Sequence, residues 1–179
     1  MNKDIEKVLV SEEELKEIAA RLGAQISKDY LGKNLLLIGI LRGSVVFLSD
    51  LMRNISIPCK VDFMSVSSYG DGVTSTGIVK IVHDLDINIA GYDVLIVEDI
   101  LDTGRTLTHL TELLKSRQPN SIRICTCLDK PDRRVTDLHA DYMGVQIPDE
   151  FVVGYGLDYS NLYRNLPYVG VLKPSVYGG

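Results

Sequence analysis

Residues 94–107, VLIVEDILDTGRTL, constrain this chain more than any other stretch of it. Four apolar residues (Val94, Leu95, Ile96, Val97) are halted by two adjacent carboxylates, Glu98 and Asp99. Asp102-Thr103-Gly104-Arg105-Thr106 follows, and then Leu107, Leu110, Leu113 and Leu114 recur at helical spacing. The pattern predicts a buried strand, a turn and an amphipathic helix. Backbone N–H groups of such a turn, with the Thr103 and Thr106 hydroxyls, converge on the positive end of the helix, a place to hold a phosphate. Neighbouring carboxylates at the end of an apolar strand repel each other and lose solvation unless a ligand or cation compensates them. They suit the hydroxyls of a sugar, or a metal ion that accompanies them. A phosphate cradle beside a diol reader points to a ribose 5-phosphate. The bland alternative, an ordinary Thr/Gly connection, leaves the paired acids unexplained.

With 179 residues the chain fits one domain, large enough to bury a substantial core. Its 45% hydrophobic and 24% charged residues are an ordinary globular mixture. No apolar run approaches a membrane span, and MNKDIEKVLV lacks the apolar stretch of a signal peptide, so a cytoplasmic location without a membrane partner is expected. A net charge of −5 argues against a broad nucleic-acid surface, and no nucleic-acid partner is expected. Three cysteines cannot form a disulfide framework. Cys125 and Cys127 alternate within the apolar run 122–128, so they share one face of a strand as small hydrophobes. His83, His109 and His139 sit apart.

Ser11 and Glu14 form a capping-box signature ahead of Leu15, Ile18, Ala19, Leu22 and Ile26, which predicts a helix starting at Ser11. Short strands are predicted at 35–40, 61–67, 78–82, 94–97 and 122–128, with a helix over 45–53. The stretch 68–77, SYGDGVTSTG, has no periodicity and reads as a mobile loop. Strands are expected again at 142–145, 151–153 and 168–172. Apolar strands alternating with helices indicate an α/β fold with a mainly parallel sheet. No repeat, low-complexity tract or linker interrupts it, so a single domain over residues 1–179 is expected.

In an open α/β sheet, ligands gather beyond the carboxyl ends of the strands. Four segments each follow a predicted strand: Leu41-Arg42-Gly43-Ser44, Ser68-Tyr69, the stretch 98–106, and Asp129-Lys130. Scattered in sequence, they would be neighbours in space. Arg42-Gly43 offers a cation and an unhindered backbone to an anion, although an exposed Arg beside a turn Gly is common. Taken alone, Lys130 would be an unremarkable surface lysine and 151–153 a core strand.

The segment 98–106 resembles the phosphoribosyl-diphosphate (PRPP) signature of type I phosphoribosyltransferases. Its Glu-Asp followed by Asp-Thr-Gly is similar to the hypoxanthine-guanine members in particular. The similarity runs from Leu37 to Val171. It implies a mainly parallel twisted sheet flanked by helices, a small hood built from terminal strands, and a mobile lid at Ser68 and Tyr69. Glu98, Asp99, Asp102, Thr103, Gly104, Arg105 and Thr106 would hold PRPP and its 5-phosphate. Leu41, Arg42, Gly43 and Arg164 would bind pyrophosphate, with a cis peptide between Leu41 and Arg42. Lys130, Phe151, Val152 and Asp158 would make the purine site, Phe151 stacking on the base and the Val152 backbone bonding its pyrimidine edge. Glu98, Asp99 and Asp158 would hold a Mg²⁺ cofactor.

The activity this implies is purine salvage: hypoxanthine or guanine plus PRPP gives IMP or GMP plus pyrophosphate. Asp102 would accept the purine's proton as its nitrogen becomes the nucleophile. The resemblance also implies a homodimer or homotetramer. Three other readings stay open. A PRPP-fold regulatory protein that binds nucleic acid is disfavoured by the acidic charge and by Asp102, where a similar RNA-binding family tends to place Tyr. A transferase preferring xanthine would be served equally well by Lys130 and the Phe151-Val152 pair. A ligand-binding protein without activity would be expected to lack a catalytic group, and none is missing.

Overall fold

Helix α1 (Glu12–Asp29) starts where its capping box places it. The Ser11 hydroxyl accepts the Glu14 N–H at 3.2 Å, and the Glu14 carboxylate accepts the Ser11 N–H at 2.8 Å. The structure, a computed structural model, describes residues 2–68 and 79–178. The expected lid, from Tyr69 onward, lies outside the described residues; Ser68 ends a strand.

Preceding α1 is β1 (Ile5–Val10), and following it is β2 (Leu35–Leu41). The chain continues through α2 (Val45–Arg53), β3 (Lys60–Ser68), β4 (Val79–His83), β5 (Asp93–Leu101) and α3 (Arg105–Lys115). It ends with β6 (Ser121–Asp129), β7 (Tyr142–Gln146), β8 (Val152–Val153), β9 (Val169–Leu172) and the short α4 (Pro174–Tyr177). The main sheet has the order β4-β3-β2-β5-β6-β7, parallel except for β3 against β4. A second, antiparallel sheet, β1-β9-β8, forms the hood.

The central strands are apolar on both faces because helices cover both. Leu35, Leu37, Leu95, Val97, Cys125 and Cys127 join the core under α1 and α2. Leu36, Ile38, Ile40, Val94, Ile96 and Ile124 pack against Leu107, Leu110 and Leu114 of α3. Each such Leu or Ile stabilises the fold by about 1.5–3 kcal/mol relative to exposure, which makes this slab the rigid platform for the loops above it.

The strand expected at 142–145 is β7, which lies parallel to β6 in the main sheet. The third hood strand, beside β8 and β9, is β1, which the sequence pattern does not reveal. Its register against β9 breaks twice, between Ile5 and Lys7 and between Val8 and Val10, so the period-two alternation is lost. The strand predicted at 94–97 also continues to Leu101, carrying Glu98 and Asp99 within it.

That extension creates the crevice. Strands β2 and β5 pair as far as Gly39 opposite Val97. Beyond that point β2 continues along β3, with Ile40 opposite Met64, while β5 continues along β6, with Glu98 opposite Thr126. The two strands part where their following connections leave in opposite directions along the sheet. A topological switch of this kind is where open α/β sheets take their ligands.

Candidate active site

Strand β5 delivers Glu98 and Asp99 to the crevice, both half-buried at its floor. Burial pushes the Glu98 carboxyl well above the usual carboxylate range, and the charge of Asp99 beside it pushes the same way. Asp99 is also raised by burial, against hydrogen bonds from the Ile100 N–H and Glu98 and the attraction of Arg164. Two carboxyls that resist full ionisation mark a place prepared for positive charge or for hydroxyl donors.

The turn after β5 is the one expected to cradle a phosphate. Gly104, at φ +83°, is the N-cap of α3 and has no side chain to cap it, while the Arg105 N–H donates to the Thr103 hydroxyl at 3.5 Å. The start of a helix in such a turn suits an anion. A Cβ on Gly104 would sit 2.2 Å from Thr136 Oγ1, so both backbone conformation and space require glycine here. A pocket of about 180 Å³ lies in the cradle, lined by Glu98, Asp102, Thr103, Gly104, Thr106 and neighbouring apolar groups. Arg105 opens α3 with its side chain exposed.

Asp102 sits at the pocket wall. Its Oδ1 is buried and has no hydrogen-bond partner among the described residues. Arg133 Nε lies 2.9 Å from that oxygen, outside hydrogen-bond geometry, and Arg133 also reaches Asp149 Oδ1 at 3.4 Å. The Arg134 guanidinium donates to the carbonyls of Asp102 (2.9 Å), Leu101 (3.3 Å) and Leu138 and pairs with Asp129, so it braces the ends of β5 and β6. Neither arginine was singled out from sequence. Their place directly after strand β6, beside Lys130, was the signal available.

Lys130 is 7% exposed at the end of β6, and its ammonium donates to the Glu150 carbonyl at 2.7 Å. Burial lowers its pKa, opposed by the charges of Asp102 and Asp149. Next to Glu150, Phe151 projects from the hood with 40% of its surface exposed. The Leu172 N–H donates to the Phe151 carbonyl at 2.9 Å, and Val152 stands opposite Val171. In that register Val152 is a non-hydrogen-bonded pair, so its N–H and C=O point away from β9 toward the open edge.

The turn at residues 41–43, expected to bind pyrophosphate, closes the far side. The Leu41–Arg42 peptide is cis, the geometry the resemblance implied. A Cβ on Gly43 would lie 1.6 Å from Asp99 Oδ2, and one on Gly156 would lie 2.0 Å from the Gly43 carbonyl oxygen. Crevice floor, turn and hood thus touch through two glycines. Arg164 donates to the Gly156 carbonyl at 2.7 Å and pairs with Asp158 at 2.7 Å. Asp158 also accepts the Asn161 N–H at 2.7 Å, and Arg42 reaches the Asn161 side chain at 3.4 Å. Asn161 was not marked in the sequence. It occupies a left-handed turn, at φ +62°, that no periodicity announces.

A strand–turn–helix phosphate cradle at a sheet switch, beneath a hood, defines a class of protein, and a model of the phosphoribosyl transferase domain matches residues 9–160. A hypoxanthine-guanine phosphoribosyltransferase of Staphylococcus aureus (strain Mu50) is 57% identical over 99% of both chains, and one of Streptococcus mutans is 55% identical over 99% of this chain and 98% of its own. The crystal structure of a hypoxanthine phosphoribosyltransferase from Staphylococcus aureus superposes with a TM-score of 0.98 at 56% identity, covering 100% of this chain and 97% of the other. The chain belongs to the hypoxanthine-guanine phosphoribosyltransferase family.

Proposed function

We propose that residues 1–179 form one phosphoribosyltransferase domain that transfers the 5-phosphoribosyl group of PRPP to hypoxanthine or guanine, giving IMP or GMP plus pyrophosphate in purine salvage. The observation that carries this reading is the Asp102 carboxylate at the wall of the cradle pocket, its buried Oδ1 paired with Arg133 at 2.9 Å but taking no hydrogen bond among the described residues, near the buried Lys130 ammonium. Breaking the bond between C1′ and pyrophosphate sends its electron pair to the leaving group and leaves oxocarbenium character on the ribose. The purine nitrogen supplies a pair to C1′, and its proton passes to the Asp102 carboxylate. Arg42 and Arg164 are the cations we assign to the developing pyrophosphate charge.

Base choice follows from donors and acceptors. An ammonium has three donors and no acceptor. One of them is used on Glu150, which leaves two for the O6 of a 6-oxopurine; adenine offers a donor amino group there instead. The outward N–H and C=O of Val152 suit the pyrimidine edge, and Phe151 supplies a ring to stack on.

The family implies a divalent cation, and we take it to be Mg²⁺. Hard carboxylate oxygens are the right donors, and the raised Glu98 and Asp99 fit a cation that would relieve them. Asp158 fits less directly, since both its oxygens are engaged by Arg164 and Asn161. Among the described residues no cluster of three or more His, Cys, Asp or Glu could hold a metal alone, so substrate oxygens would have to complete the shell. When bound, the ion would neutralise leaving-group charge.

Among the described residues no helix is long and apolar enough to cross a membrane. We infer a cytoplasmic homodimer or homotetramer, which light scattering distinguishes. The activity test is a coupled assay with PRPP, Mg²⁺ and each of hypoxanthine, guanine, xanthine, adenine and uracil. Hypoxanthine and guanine should turn over; preference for adenine or uracil would overturn the assignment.

A further inference from the structure

The last described turn of the chain does more than end it. Helix α4 is tied at several points: the Lys173 N–H donates to the Asp4 carbonyl at 2.9 Å, Lys173 Nζ donates to the Lys3 carbonyl at 2.6 Å, and Val176 packs on the outer hood cluster of Val153, Leu172, Tyr163 and Leu166. This docking sets Tyr177 parallel to Phe151, with centroids 4.7 Å apart and planes inclined by 25°. Tyr159 meets Phe151 edge-on at 5.8 Å and 86°. One ring face and one edge of Phe151 are thus covered, yet 40% of the residue remains exposed. A flat ring covered in this way has one broad surface left, its opposite face.

We propose that Tyr177 is a positioning residue for the base: by stacking on one face of Phe151 it fixes the ring so that the other face receives the purine. The proposal rests on the reading of Phe151 as the base platform. A phenyl ring on a short strand would otherwise rotate about χ1 and χ2, and a base arriving on it would bear the cost of ordering it. Tyr177 and Tyr159 hold it beforehand. Tyr159 directly follows Asp158, so the same aromatic group links the platform to the loop that carries the Arg164–Asp158 pair.

The test is steady-state kinetics and thermal melting of full-length wild type, Tyr177→Ala, Tyr177→Phe, Tyr177→Leu, Phe151→Ala and the Phe151→Ala/Tyr177→Ala double variant. Tyr177→Ala should raise KM for hypoxanthine about 3- to 10-fold, the size of one aromatic pair, with kcat and KM for PRPP near wild type. Phenylalanine should restore the wild-type KM. Leucine should restore melting temperature but not KM, because it packs without a ring face. In the Phe151→Ala background, Tyr177→Ala should add nothing further. An unchanged KM in Tyr177→Ala, a lowered one (the tyrosine would then be covering the base's own face), rescue by leucine, or a full additional loss in the double variant would each overturn the proposal. Should Phe151→Ala itself leave the hypoxanthine KM untouched, the platform reading would fall, and this inference with it.

Discussion

The phosphate cradle and the hood achieve precision by opposite routes. The cradle comes from one contiguous segment: β5 ends, Gly104 turns at φ +83°, and α3 begins. Its backbone N–H groups are positioned by helix geometry alone. The hood gathers β1, β8 and β9 from the two ends of the chain, and its loop is irregular. Tyr155, Ser160, Asn161 and Tyr163 all have positive φ, between 51° and 75°. Such non-glycine conformations cost on the order of 1 kcal/mol or more each and persist only where surrounding contacts enforce them. Here Tyr155 donates to Asp50 at 2.7 Å, Tyr163 donates to Asp4 at 3.2 Å, and Arg42 reaches Asn161. The cradle to which we assign the 5-phosphate thus sits on local structure, and the hood to which we assign the base sits on long-range structure.

This contrast can be broken by substitution, beginning with the cradle. Asp102→Asn keeps shape and polarity but cannot accept the proton, so kcat should fall about 10²–10⁴-fold while PRPP affinity changes little. Near-normal turnover at saturating substrates would remove Asp102 from the mechanism. Gly43→Ala comes next. Its methyl collides with Asp99, and a displacement of about 1 Å at a reacting site costs on the order of 10²-fold, read here as kcat/KM for PRPP. A wild-type value would mean that Asp99 does not need its observed position.

Hood-side changes should act on selectivity and stability instead. Lys130→Ala removes the donor to O6 and should shrink the preference for hypoxanthine over adenine about 5- to 150-fold, the range of 1–3 kcal/mol for a buried polar contact. Competition assays with both bases measure it, and an unaltered ratio would assign discrimination to the Val152 backbone alone. The smallest effect is expected for Tyr155→Phe, which deletes the hydrogen bond to Asp50. At about 1 kcal/mol, it should lower the melting temperature by about 2–4 °C. An unchanged melting point would show that the left-handed hood loop is held by packing rather than by that bond.

Much of the platform was legible because it follows from periodicity. The capping box at Ser11 and Glu14, the double-sided apolar strands and the leucine stripe of α3 are local patterns with local causes. Paired acids at the end of an apolar strand likewise pointed to a ligand before any fold was known. The hood was legible only through resemblance, since residues 151–153 taken alone read as core.

Sequence by itself therefore determined the α/β class and the strand–turn–helix form of the cradle, because helix, strand and turn preferences act between residues a few positions apart. Tertiary structure alone decided that β1 closes the hood, that Gly43 lies against Asp99, that Arg133 and Arg134 surround Asp102, and that Tyr177 stacks on Phe151. Those contacts join residues from 26 to more than 150 positions apart. They form only when the buried sheet has set where each strand ends.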